Sequence, residues 1–212
     1  MVKMLLYMTT LLLAARSLSL TRGQQRLFHQ LNLHLKAGEL LQVLGPNGSG
    51  KTSLLQVLAG LRMPDEGTVQ WQESASLYYL GHQLALKSHL TVEENIEFNF
   101  FGIVEQAQKH FYLNALGLAS LQSRRCETLS AGQQKKVAIV KLLLAKAAVW
   151  VLDEPLINLD DPSQHWVEEQ ALFHLAAGGG IILSTHQPLK QLGGWGAGRI
   201  HLFEERTETW FL

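Results

Sequence analysis

Apolar and polar residues change rhythm several times along this chain, and each rhythm implies an element. From Leu11 onward, Leu18 and Leu20 alternate with Ser17 and Ser19, and Leu31, Leu33 and Leu35 repeat that spacing within 27–35. Period two predicts two strands, each with one buried face. Lys36-Ala37-Gly38 turns the chain into Leu40–Leu44, a short apolar run of strand length. The period then lengthens: Leu54, Leu55, Leu58 and Leu61 sit at helical spacing and predict a helix over 53–61. Pro64-Asp65-Glu66-Gly67 marks a turn, followed by expected short strands at 68–71 and 77–80, the latter ending at Gly81-His82-Gln83.

The middle of the chain is helical. Thr91 and Glu94 have the spacing of a capping box, and 105–116 predicts a further helix stopped by Gly117. After residue 130 a helix carries Val137, Ile139, Val140 and Leu144. Strand and helix then alternate: 149–152, a helix near 163–176, Ile181–Ser184 after three glycines, and 200–203 closing the sheet. The pattern predicts an α/β fold with a mostly parallel core sheet covered by helices and an antiparallel sheet near the N-terminus. It also predicts a helical insertion at about 84–148, so the core is expected at about 8–83 and 149–212 of a single domain, 1–212.

Lys3 followed by Met4 to Ala15 has some character of a signal peptide or a membrane helix. It falls short of the ~20 residues that a span needs, and Thr9 and Thr10 interrupt it. No anchor is expected; residues 1–7 read as an upstream extension, with Met8 as the natural start. Lysine plus arginine balances aspartate plus glutamate at 18 each, so no net field favours nucleic acid as a partner. The one cysteine, Cys126, excludes an internal disulfide, fits a reducing cytoplasm, and is expected as a small packed residue.

Chemistry enters at residues 45–52, Gly-Pro-Asn-Gly-Ser-Gly-Lys-Thr, which have the G-x-x-x-x-G-K-[ST] spacing of a phosphate-cradling loop between a strand and a helix. Gly45, Gly48 and Gly50 allow the backbone to approach a phosphate, so successive N–H groups form an anion nest. Lys51 would carry charge to the β- and γ-phosphates, and the Thr52 hydroxyl would ligate Mg²⁺. Further on, Val149-Trp150-Val151-Leu152 is an apolar strand ending in Asp153 and Glu154. After a phosphate loop, such a strand places Asp153 where Mg²⁺ needs a ligand and Glu154 where an attacking water needs a general base.

Leu129-Ser130-Ala131-Gly132-Gln133-Gln134 reads locally as a serine-capped helix start. It also differs at one position from the LSGGQ signature of ATP-binding cassette (ABC) ATPases, and the chain resembles that family over about residues 11–205. The resemblance implies ATP contacts along Gly45, Pro46, Asn47, Gly48, Ser49, Gly50, Lys51, Thr52 and Ser53. It implies a Q-loop Gln83 near Mg²⁺ and the attacking water, a D-loop acid at Asp160, and a switch histidine at His186 that touches the γ-phosphate. His29, His34, His165 and His174 have no such register and are expected on the surface or in packing. The family position for an adenine-stacking aromatic falls on Arg22, whose guanidinium would have to stack instead.

Leu80-Gly81-His82-Gln83, Leu90 to Asn95, Leu129 to Lys136 and Ser184 to Leu189, with Gln187 after the histidine, are similar to haem-exporter ATP-binding subunits of the bacterial cytochrome c maturation system. That likeness implies ATP hydrolysis with Mg²⁺, and a head-to-tail dimer in which Ser130, Ala131, Gly132 and Gln133 complete the partner's ATP site. It further implies separate integral membrane subunits as partners and a peripheral place on the cytoplasmic face of the inner membrane. No haem-attachment C-x-x-C-H run is present, so direct haem binding is not expected. Phe98, Phe100 and Phe101 fall where related cassettes receive a coupling helix, or else belong to a local core. Other ABC exporters and soluble cassette ATPases remain alternatives at this stage.

Overall fold

The computed structural model describes residues 10–98, 105–186, 198–202 and 207–210. Expectations for residues 1–8, Phe100, Phe101, Gln187 to Leu189 and Phe203 fall outside the described residues. The chain divides into two compact units: one of residues up to Tyr79, Ala147–Pro155 and from Glu168 onward, the other of Leu80–Lys146 and Leu156–Val167.

The first unit contains both sheets. Strand β1 (Leu11–Arg22) pairs antiparallel with β2 (Gln25–Lys36) and with β4 (Glu66–Trp71), giving the order β2-β1-β4. Register shifts bend β1, and at one of them Gly67, with φ 90°, lies so close to the carbonyls of Arg16 and Ser17 that no Cβ would fit. The larger sheet runs β5-β6-β7-β3-β8-β9, from β3 (Leu40–Leu44), β5 (Leu77–Leu80), β6 (Val149–Asp153), β7 (Gly180–Thr185), β8 (Gly198–Leu202) and β9 (Thr207–Trp210). The β6-β7, β7-β3 and β3-β8 pairs are parallel, while β8-β9 is antiparallel. All five residues of β3 and of β6 are buried, which is why these strands read as mostly apolar runs, interrupted at Gln42 and ending at Asp153, rather than as alternations.

Two boundaries differ from the sequence expectation. The helix after the glycine loop, α1 (Lys51–Leu58), stops short of Leu61. Gly60 adopts φ 71°, its N–H donates to the Val57 carbonyl at 3.1 Å, and Leu61 N–H donates to Gln56 at 2.9 Å. That is a Schellman ending, and it leaves Leu61 exposed despite its helical spacing. The segment expected at 200–203 to close the sheet is β8, and it lies inside, because β9 pairs along its outer side. Thr-Glu-Thr-Trp is too short to show a period.

The second unit holds α2 (Val92–Phe98), α3 (Gln106–Ala115), α4 (Ala131–Leu144) and the first turns of α5 (Asp161–Ala176). The expected capping box forms: Thr91 N–H donates to Glu94 Oε2 at 2.8 Å, and Glu94 N–H to Thr91 Oγ1 at 3.2 Å. A second box opens α4, where Ser130 Oγ accepts from Gln133 N–H at 3.2 Å and Gln133 Oε1 accepts from Ser130 N–H at 3.0 Å. Cys126 is buried as expected, and burial pushes its thiol up. No helix among the described residues is long and apolar enough to cross a membrane.

Candidate active site

Strand β3 ends at Leu44 and the chain turns through three glycines before α1 begins. Gly45, Gly48 and Gly50 have φ of 157°, 84° and 98°. A Cβ at Gly45 would sit 2.5 Å from both the Leu202 carbonyl and Ser49 Oγ, so this position has no room for a side chain. Gly50 is the N-cap of α1 and provides no side-chain cap, which leaves the first helical N–H groups pointing toward the loop mouth. Ser49 Oγ is buried with no partner among the described residues, a hydroxyl still waiting for an acceptor or donor.

Lys51 is 6% exposed, and its ammonium donates to the carbonyls of Gly45 at 2.8 Å and Pro46 at 3.0 Å. The loop thus provides for its own cation by turning two carbonyls onto it. One residue later, Thr52 Oγ1 donates to Asp153 Oδ2 at 2.8 Å across 101 positions of sequence.

Asp153 is 3% exposed at the tip of β6, and its other oxygen accepts from Ser184 Oγ at 2.6 Å. Ser184 faces Asp153 in the β6-β7 register, and its hydroxyl also accepts from Glu154 N–H at 2.9 Å. Sequence reasoning missed Ser184; its only signal is a polar residue following the apolar run Ile181-Ile182-Leu183. Glu154 leaves the strand with φ 48°, an uncommon left-handed backbone for a residue with a side chain. That turn sets its Oε1 2.9 Å from His186 Nε2 and 4.0 Å from Lys51 Nζ. The first unit therefore brings the loop, Asp153, Glu154 and His186 together. Arg22 is also in this unit, exposed at the end of β1 opposite Gln25.

The remaining sequence candidates belong to the second unit. Gln83 is exposed beyond β5. Ser130 to Gln133 form the first turn of α4, and Gly132 lies against the Asn158 carbonyl, which a Cβ there would approach to 2.5 Å. Asp160 joins the same surface: its Oδ2 accepts from Lys136 Nζ at 2.7 Å, and its Oδ1 accepts from Ser163 N–H at 2.9 Å. The Lys136 ammonium, then Ser163, pull the Asp160 carboxyl down to about 2. Lys136 is a second residue that sequence reasoning missed.

Outside the site, His29 is exposed and bonds Ser19 Oγ through Nδ1 at 3.2 Å, and His174 stacks on Trp150 with ring centroids 4.0 Å apart, so the first is a surface and the second a packing residue, as expected.

A largely parallel sheet with a glycine loop, an antiparallel sheet and a helical unit defines a P-loop ATPase of the ATP-binding cassette type. The ABC transporter family profile matches residues 28–157, and the chain belongs to that family as an ATP-hydrolysing subunit. The cytochrome c biogenesis ATP-binding export protein CcmA of Salmonella typhi is 41% identical over 188 residues, covering 84% of this chain and 91% of that protein. The CcmA protein of Yersinia pseudotuberculosis is 40% identical over 190 residues, covering 84% and 87%. A solved structure described as the ATP binding subunit of an ABC transporter matches with a TM-score of 0.80 at 24% identity, covering 93% of this chain and 90% of that one.

Proposed function

We propose that this chain is the ATPase of an ABC exporter serving cytochrome c biogenesis, powering haem export or release of a haem-loaded chaperone through separate membrane subunits. The observation that carries the chemical part is the position of Glu154, held by a left-handed backbone within 2.9 Å of His186 and 4.0 Å of Lys51. The 41% identity to CcmA over 84% of the chain supports the pathway. In this reading 1–212 is a single ABC ATPase domain, with a core at about 8–83 and 149–212 and a helical subdomain at about 84–148.

Glu154 takes a proton from water as the water oxygen bonds to the γ-phosphorus. The bond from that phosphorus to the bridging oxygen breaks, the electron pair leaves on ADP, and inorganic phosphate remains. Lys51 exchanges its two carbonyl partners for phosphate oxygens, which bind a cation more strongly. His186 orients Glu154 through its Nε2 and is placed to contact the γ-phosphate. The loop's N–H groups, with Ser49 and Ser53, cradle the remaining phosphate oxygens.

A hydroxyl and a carboxylate 2.8 Å apart at a helix start are hard oxygen donors that suit Mg²⁺. Thr52 and Asp153 would hold the ion, with Gln83 as a further ligand, and the ion would supply neutralisation of phosphate charge. Mg²⁺ takes few protein ligands beside its phosphates, so it needs no cluster of carboxylates and imidazoles, and none is found among the described residues.

Two copies are proposed to pair head to tail, with Ser130, Ala131, Gly132 and Gln133 of each completing the other's ATP site and Asp160 at the junction. Arg22 is proposed to stack on adenine. The chain is placed peripherally on the cytoplasmic face of the inner membrane, with no nucleic-acid partner and no haem ligand of its own. Phe98, 59% exposed on α2, is proposed to receive a membrane subunit. Pull-down of the chain from detergent-solubilised membranes should recover integral proteins and yield ATPase activity. Recovery of none, or a complex that does not split ATP, would remove this reading.

A further inference from the structure

Asn95, on α2, is 1% exposed, and its side-chain amide has five hydrogen-bond contacts in the second unit. Its Oδ1 accepts from Lys87 N–H at 2.7 Å, and its Nδ2 donates to the Lys87 carbonyl at 2.9 Å. The amide thereby satisfies both main-chain groups of one residue, as a neighbouring strand would. Nδ2 has three further acceptors in range: Leu90 O at 3.2 Å, Thr91 O at 3.0 Å and Cys126 Sγ at 3.2 Å. Two amide protons face these acceptors, so the opposite orientation would turn an oxygen toward them and is strongly disfavoured.

These partners lie on two segments. One is the stretch that follows Gln83; the other is the turn that leads into α4. Cys126 N–H donates to Leu90 O at 2.9 Å, and the Cys126 carbonyl accepts from Gln134 Nε2 at 2.8 Å. Gln134 N–H in turn donates to Ser130 O at 2.9 Å. A continuous polar path, buried at Asn95 and Cys126, thus runs from the segment after Gln83 to the helix start that carries Ser130.

We propose that Asn95 is a positioning residue for ATP turnover: it holds the segment after Gln83 in register with the serine-capped start of α4. The inference rests on the roles given above to Gln83 and Ser130. It makes Asn95 act on turnover rather than on nucleotide capture, because the glycine loop belongs to the other unit.

The test uses the full-length chain and compares wild type, Asn95→Ala and Asn95→Asp, with Gln134→Ala cutting the same path at its far end without emptying the buried amide site. Steady-state ATPase gives kcat and KM, and titration with a fluorescent ATP analogue gives affinity. The expected result is a kcat at least tenfold lower for Asn95→Ala and Asn95→Asp, and lower for Gln134→Ala, with KM and affinity within twofold of wild type. Should the Asn95 variants fail to fold, Gln134→Ala decides alone. Unchanged kcat, or a change confined to KM, overturns the inference while leaving the ATPase reading intact. Wild-type protein that binds no ATP and hydrolyses none would overturn both.

Discussion

Glu154 and His186 meet through Oε1 and Nε2 at 2.9 Å, a contact joining the end of β6 to the residue after β7. The carboxylate is 20% exposed, so water reaches it while the histidine fixes its direction. Glu154→Gln keeps the shape and an oxygen that can accept from His186, but removes the base. Steady-state hydrolysis should fall by about 10²–10⁴-fold while ATP still binds and accumulates in a dimer. Phosphate release and sedimentation with ATP would check this, and near-normal turnover would contradict the role of Glu154.

Lys51→Ala should act differently. It removes the charge meant for the phosphates and the ammonium donor of the Gly45 and Pro46 carbonyls, of which Pro46 keeps the Ser49 N–H. Nucleotide affinity or turnover should drop at least tenfold, with little change in the far-ultraviolet spectrum because α1 keeps its other contacts. Wild-type affinity together with wild-type turnover would exclude any phosphate contact.

Acid stability should report His174. Burial against Trp150 lowers its pKa from 6.5 to about 4, and both Nε2 and the Trp150 Nε1 have no partner among the described residues. The unfolded chain therefore takes up a proton before the folded one does. Stability from this residue is complete above pH 6.5 and declines as pH falls toward 4, by roughly 3 kcal/mol at most. His174→Gln should flatten urea-derived stability over that window, and an unchanged slope would contradict the assignment.

The Lys136–Asp160 pair predicts a second, more acidic window. Asp160 titrates from 3.8 down to about 2, so its contribution holds above about pH 4 and disappears between there and pH 2. Its side chain is 57% exposed, and solvent screening keeps the effect to about 1 kcal/mol or less. Lys136→Met should reduce this acid slope to the part that Ser163 maintains, and also slow ATP turnover if Asp160 belongs to the dimer junction. An undiminished slope would show that Lys136 is not the main cause of the shift.

The repeating parts of this structure were legible because they follow from local period. Strand β3, the glycine loop and α1 announce themselves within about twenty residues of sequence, and Asp153 and Glu154 end an apolar strand of the same kind. Ser184 and Lys136 were not legible, because their importance lies in partners 31 and 24 positions away. Leu61 misled by having helical spacing just beyond a glycine whose φ ends the helix. Strand β9 is too short to carry a period, and only its pairing with β8 reveals it.

The left-handed backbone at Glu154 has an evolutionary consequence. Glycine would relax that turn at once, and a residue held there against its preference costs the fold on the order of 1 kcal/mol. Selection for heat resistance alone would therefore drift toward an idle protein at this position. A search for sturdier variants should score ATP turnover beside melting temperature, or it will harvest survivors that no longer work.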